Sequence, residues 1–312
     1  MTPPTERSPI VIGAVLGCIC VPPLLVLVNA ASFYSVNRTS GTIVTSAGQT
    51  REYILYVPKS YDRSKPTPLV ISMHGAKNWP SFQMNLSQWN KAADANGFIV
   101  VYPAGEGGGP KTWSMRGRQT PSRMPDVVFI SELIDKLETS HNIDSARIYA
   151  NGLSNGGGMT FALSCTLSHR IAAFGPVAAA VTLPLDWCPD SRPAPMIAFH
   201  GTADRFTPYT GAKVWLAPKP FPSIPEWTAD WARRNRCAPT PVESAAASDV
   251  TRLEYTDCAD DASVMFYTIK GGGHTWPGGQ PMPEWLVGPT SQSIDATSLM
   301  WAFFRQHPLR RK

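Results

Sequence analysis

A hydroxyl, a carboxylate and an imidazole, the residue types that covalent acyl transfer uses, occur in turn along this chain. The hydroxyl lies in Gly152-Leu153-Ser154-Asn155-Gly156, a G-x-S-x-G pattern continued by Gly157 and Gly158. A serine hydroxyl is a weak nucleophile until a base takes its proton, so a histidine and an acid to orient it should follow. Where the nucleophile sits on a strand-to-helix turn, the chain order is Ser, then Asp or Glu, then His. His200-Gly201-Thr202-Ala203-Asp204 follows the apolar run Met196 to Phe199, which puts Asp204 in the loop after a buried strand. Gly271-Gly272-Gly273-His274-Thr275-Trp276 follows Val264 to Ile269, which puts His274 on a glycine-rich loop. Ser154 is the candidate nucleophile, Asp204 the acid and His274 the base.

The glycines have a steric purpose: a serine in a strained turn needs strand and helix backbones to pass closely two residues before and after it. The same turn aims the Asn155 amide, at a helix N-terminus, toward the reacting centre. A second oxyanion donor is expected from His74-Gly75-Ala76-Lys77, which follows the strand Leu69 to Met73, with the amide of Ala76 facing Ser154. His74 reads as a structural, neutral imidazole bonded to nearby backbone. The competing reading of Ser154 is an ordinary helix N-cap in a tight glycine turn. Among rival residues, His141, His169 and His307 read as surface histidines, and His200 as packing at a strand end. Asp186 and Asp190 precede the Met196 strand, and Asp257, Asp260 and Asp261 surround Cys258 in a polar turn. Gly105 to Thr112 resembles a phosphate loop, but Pro110 stands where a glycine should donate its N–H, so it reads as a flexible rim above the site.

Positioning these groups falls to alternating strands and helices. Arg51 to Val57 reads as a strand, and Leu69 to Met73, Phe98 to Tyr102, Arg147 to Ala150, Phe174 to Ala180 and Met196 to Phe199 as short buried strands. Helical patterns run from Ser87 to Asn96, Asp126 to His141, Ser154 to Ser168, Glu226 to Asn235 and Ala296 to Gln306, with Asp126 a helix-start residue. The alternation predicts an α/β domain with a doubly wound, mostly parallel sheet and helices on both faces. Asn37 to Gly48 reads as a polar stretch, and Pro218 to Pro225 and Thr240 to Asp249 as insertions between elements.

The 312 residues, 43% hydrophobic and 16% charged, suit one enzyme-sized domain over residues 37–308. A net charge of +5 owes four positive charges to Arg305, Arg310, Arg311 and Lys312, and residues 309–312 read as a basic tail. No basic stripe interleaved with aromatics points to nucleic acid. Residues 1–36 hold the uncharged run Ile10 to Val28, a signal peptide or membrane anchor, interrupted by Pro22 and Pro23, and the only expected link to a membrane. Beyond it lie Cys165, Cys188, Cys237 and Cys258, which export would pair. Three connectivities are open; pairing sequence neighbours closes the shortest loops, each worth roughly 3 kcal/mol. No Cys/His spacing suggests a zinc site.

With the His74-Gly75 loop, Gly97 to Pro103, Gly152 to Met159, His200 to Asp204 and Gly271 to Gly278 all in order, the chain resembles the polyhydroxybutyrate depolymerase family of esterases, which includes feruloyl and acetylxylan esterases. The resemblance spans approximately Gly41 to Phe304. It implies the α/β-hydrolase fold, the nucleophile at Ser154, the acid at Asp204, the base at His274, and a Cys237 to Cys258 disulfide. Ala76 departs from relatives that often carry cysteine there, and the run Gly156-Gly157-Gly158 holds an extra glycine. The implied reaction is acyl-enzyme hydrolysis of an oligomeric or small-molecule carboxylic ester by a monomer, without metal or organic cofactor. Trp79, Trp113, Trp276 and Trp285 fall in loops near the expected mouth, where an aromatic or sugar-bearing ester would stack unless they are packing residues. A peptidase on the same scaffold and a catalytically silent envelope binding protein are the competing functions.

Overall fold

The computed structural model describes residues 41–107, 109–114, 124–179, 188, 192–212, 220 and 222–310. The apolar N-terminal run and the rival acids Asp186 and Asp190 lie outside them. Among the described residues ten strands form one sheet in the order β1-β2-β4-β3-β5-β6-β7-β10-β9-β8. They are β1 (Gly41–Val44), β2 (Thr50–Tyr56), β3 (Thr67–Met73), β4 (Ile99–Pro103), β5 (Ile143–Leu153), β6 (Ala173–Val177), β7 (Met196–Gly201), β8 (Val242–Ala247), β9 (Val250–Tyr255) and β10 (Val264–Ile269). From β4 to β10 in that order every neighbouring pair is parallel. Antiparallel partners extend the block at both sides.

Alternation along the parallel strands divides the core in two. Leu69, Ile71, Ile99, Val101, Ile148, Ala150, Met196 and Ala198 face one layer. Val70, Val100, Tyr102, Tyr149, Ile197 and Phe199 face the other. This is what period-two side-chain placement requires of strands buried on both faces. On the first face pack α3 (Pro125–Ser140), α4 (Asn155–Thr166) and α5 (Ile224–Arg234). The second carries α2 (Trp89–Asn96) and α7 (Ala296–Phe304), with Trp89 stacked on Phe304 at 6.2 Å between ring centres. A doubly wound, mostly parallel sheet with helices on both faces is therefore present.

Several elements differ from the sequence reading. Within the stretch read as polar, Gly41–Val44 pairs with β2 as an edge strand. Thr240 to Asp249 holds β8, which hairpins onto β9; its exposed, alanine-rich face carries little hydrophobic signal. The helix expected from Ser87 to Asn96 starts at Trp89, because Gln88 adopts a left-handed conformation (φ 58°) that separates it from α1 (Pro80–Ser87). A single turn, α6 (Glu284–Val287), precedes α7. Disulfides join Cys165 to Cys188 and Cys237 to Cys258, the pairing of sequence neighbours. Among the described residues no helix is long and apolar enough to cross a membrane.

Candidate active site

Parallel strands end together, so the loops after β3, β5, β7 and β10 emerge at one edge of the sheet. The register fixes this directly: Met73 lies opposite Gly152, Leu153 opposite Val177, Val177 opposite Phe199, and Gly201 opposite Ile269. Ser154, the His74 loop, Asp204 and His274 all follow those strand ends.

Ser154 stands between β5 and α4 with φ 56° and ψ −118°, a backbone conformation rare for a residue with a side chain and costing about 1–3 kcal/mol. Although it occupies the N-cap position, its hydroxyl makes no capping bond, so the ordinary N-cap reading fails. The turn survives because a Cβ at Gly152 would meet the Gly156 carbonyl carbon at 2.5 Å and Met73 O at 2.8 Å. The Gly157 Cβ position would lie 2.5 Å from Ala179 Cβ, which accounts for the additional glycine. Ser154 N donates to Val177 O at 2.9 Å, tying the elbow to β6.

The His74 loop passes beside this serine: a Cβ on Gly75 would stand 3.6 Å from Ser154 Cβ. Ala76 follows at the exposed rim. His74 is fully buried, with Nδ1 at 2.7 Å from Gly75 O and Nε2 accepting from Gly105 N at 3.0 Å. Burial, with the Lys111 and Arg51 charges adding to it, lowers its pKa to about 4 against a weaker opposing pull from its bond to Gly75. The neutral tautomer thus carries its proton on Nδ1, and His74 is the structural imidazole expected.

The described ends of the segment from Gly105 to Thr112 are tied down, unlike the flexible rim expected. Glu106 pairs with Thr112 and Asn78 with Lys111 as antiparallel bridges. Asn155 then clasps the segment beyond: its Oδ1 accepts from Trp113 N at 2.7 Å, and its Nδ2 donates to Trp113 O at 3.2 Å. Trp113 Nε1 donates to His74 O at 2.9 Å, closing a circuit between the elbow and the His74 loop. Asp126 begins α3 as expected, yet it is also fully buried, 2.5 Å from Arg51 Nη2 and accepting from Ser114 N at 2.6 Å. Burial raises its carboxyl pKa despite the opposing Arg51 charge. Nothing in the spacing of Arg51 and Asp126 announces this pair, since 75 residues separate them.

At the other side of the edge, Asp204 and His274 meet, with Nδ1 donating to Oδ2 at 2.7 Å. Asp204 Oδ1 accepts from Phe206 N and Thr207 N, each at 2.8 Å. Burial pushes the Asp204 pKa up, but bonds from His200 and His274 and their charge outweigh it and hold the carboxyl well below the usual range. Its loop also places the Phe206 ring 5.1 Å from the His274 ring. His274 N donates to Val287 O at 2.6 Å, so α6 supports the base loop. Trp79, Trp113 and Trp276 are buried packing residues, whereas Trp285 on α6 is 65% exposed. His307 is half-buried, its Nδ1 at 2.8 Å from Phe303 O and its Nε2 at 3.0 Å from Ser263 Oγ, and so is not the surface residue expected.

A serine on a strained elbow, ending a strand of a doubly wound mixed sheet whose later strands carry the acid and the histidine, defines an α/β hydrolase. Residues 51–183 match the model of the family described as esterase PHB depolymerase. Over 281 residues the chain is 30% identical to the putative esterase NocK of Nocardia uniformis subsp. tsuyamanensis, covering 82% of this chain and 79% of that one. The chain belongs to the esterase PHB depolymerase family. It is also 33% identical over 169 residues to a bifunctional acetylxylan esterase/xylanase of Neocallimastix patriciarum, 54% of this chain but only 24% of that larger protein. The fold is shared with an acetyl xylan esterase from Aspergillus awamori at TM-score 0.53 and 15% identity, covering 76% of this chain and 94% of that one.

Proposed function

We propose that the chain is a serine esterase acting on carboxylic esters through an acyl-enzyme. Ser154 Oγ attacks the ester carbonyl carbon while His274 Nε2 takes the hydroxyl proton and passes it to the departing alcohol. Water, deprotonated by the same imidazole, then releases the acid and restores the serine. Asp204 holds the imidazole in the tautomer with its proton on Nδ1 and stabilises the imidazolium as it forms. The amides of Asn155 and Ala76 hold the oxyanion, each worth about 3 kcal/mol of barrier. The observation that carries this reading is the Asp204–His274 hydrogen bond, formed on the sheet edge where Ser154 is held at φ 56°.

The acyl or alcohol portion of the substrate is proposed to lie against Phe206 and the exposed Trp285, which favours aromatic or oligomeric esters over bare acetates. Two disulfides suit an oxidising compartment, and we assign Ile10 to Val28 the task of export or anchoring. The test is hydrolysis of p-nitrophenyl acetate and butyrate, methyl ferulate, acetylated xylan and hydroxybutyrate oligomers by the purified chain. Ser154→Ala and His274→Ala are each expected to lower kcat by roughly 10⁴ or more. Unchanged rates in both would defeat the assignment.

A further inference from the structure

His200 has no role in the reaction as proposed, yet it touches the acid. It is the penultimate residue of β7, buried, on the same sheet face as Met196 and Ala198 and opposite Thr268 of β10. Its Nε2 lies 2.8 Å from Thr207 O and 3.4 Å from Asp204 Oδ2. Both neighbours are acceptors, so Nε2 carries a proton whether the ring is neutral or charged. The bond is forked, its short leg to the main chain and its long leg to the carboxylate. Asp204 is therefore approached by four N–H groups: Phe206 N and Thr207 N on Oδ1, His274 Nδ1 and His200 Nε2 on Oδ2. The two imidazoles share one oxygen.

From this arrangement we propose that His200 is a positioning residue for the reaction, clamping the acid loop between Asp204 and Thr207 and moderating the hold of Asp204 on His274. The first effect is geometric. The loop leaves the strand at Gly201 and returns at Thr207, and the imidazole bridges the two ends. The second is electrostatic: a carboxylate oxygen shared by two donors binds each less strongly than it would bind one. Asp204 thereby orients His274 without over-stabilising the imidazolium. Besides Asp204, the groups facing His200 are Tyr209, with ring centres 6.2 Å apart and its hydroxyl bonded to Thr268 Oγ1 at 3.0 Å, and His274 across the carboxylate. Arg205 on the same loop is exposed to solvent.

The assignment rests on the esterase reading above, and the experiment separates the two. His200→Gln keeps an amide donor near the Nε2 position, whereas His200→Phe keeps a ring and removes the donor. For both, and for the unaltered chain, the pH dependence of kcat/KM on p-nitrophenyl acetate and of fluorophosphonate labelling at Ser154 is measured. His200→Phe is expected to move the acid limb of both profiles upward by roughly one pH unit and to lower kcat/KM at neutral pH roughly tenfold. His200→Gln is expected to keep the limb in place and restore most of the rate. If His200→Phe does not fold, as judged by near-ultraviolet circular dichroism, His200→Met takes its place with the same expectation. A limb unmoved in the donor-less variant, or an equal loss of rate in both variants without a shift, overturns the assignment. Failure of fluorophosphonate to label Ser154 in the unaltered chain instead overturns the esterase reading.

Discussion

The two histidines best placed to be mistaken for catalytic residues, His74 and His200, are both defined by what their nitrogens touch. His74 makes its case through stability. Its pKa is lowered to about 4 by burial, while the unfolded chain keeps it near 6.5, so below 6.5 the unfolded state binds more protons. Stability from this neutral imidazole is complete above about pH 6.5 and is lost progressively as pH falls toward 4, about 3 kcal/mol in all. Urea midpoints measured from pH 7 to 4 should therefore fall less steeply in His74→Gln than in the unaltered chain. At this scale the sequence was informative wherever a motif fixed the backbone. Gly152 to Gly156 marked the strained serine, and loop positions after apolar runs pointed to Asp204 and His274, which the structure brings into hydrogen-bond contact. It was silent on Arg51–Asp126 and on the His200–Asp204 contact, since a hydrogen bond leaves no periodicity.

Among the elements, the turn from β5 to α4 is tightly constrained. A methyl group at Gly152 would strike the first turn of α4 and the end of β3, and Gly152→Ala is expected to destabilise the fold by about 2–3 kcal/mol, read from urea unfolding. Asn155 is expected to behave differently. Replacing it with alanine keeps its backbone N–H but releases Trp113, whose main chain it holds on both sides. Asn155→Ala should lower kcat roughly tenfold and stability by about 1–3 kcal/mol, because it orphans the Trp113 main chain and loosens the segment next to His74, the proposed oxyanion loop. The buried parallel strands were legible as apolar runs, and helices such as α3 as amphipathic spacing. Among the elements that escaped, with β9, α1 and α6, are the two edge strands: β1 is only four residues long and half-buried on one face, and β8 is exposed along most of its length, so neither carries an apolar pattern long enough to read. The break at Gln88 escaped because one left-handed residue does not interrupt an apolar pattern.

For the molecule as a whole, the distribution of exposed apolar side chains is informative. Of the five large ones among the described residues, Val44, Phe206, Val242, Trp285 and Leu286, three flank the His274 loop and the other two belong to the edge strands. Trp285→Ala is expected to raise KM several-fold for methyl ferulate or hydroxybutyrate oligomers and to leave p-nitrophenyl acetate unaffected. Steady-state kinetics on the matched pair of substrates checks it. The two disulfides lie at the opposite end. Cys165 is near the C-terminus of α4, whose first residue follows Ser154, and Cys237 and Cys258 adjoin Asn235, which bonds to Ala194 and Ala262 just ahead of β7 and β10. The covalent bracing and the proposed catalytic groups thus lie at opposite poles of one sheet. Mild reductant should shorten the enzyme's survival on heating while hardly altering its speed in the cold, so that durability can be engineered below the sheet without retuning the chemistry above it.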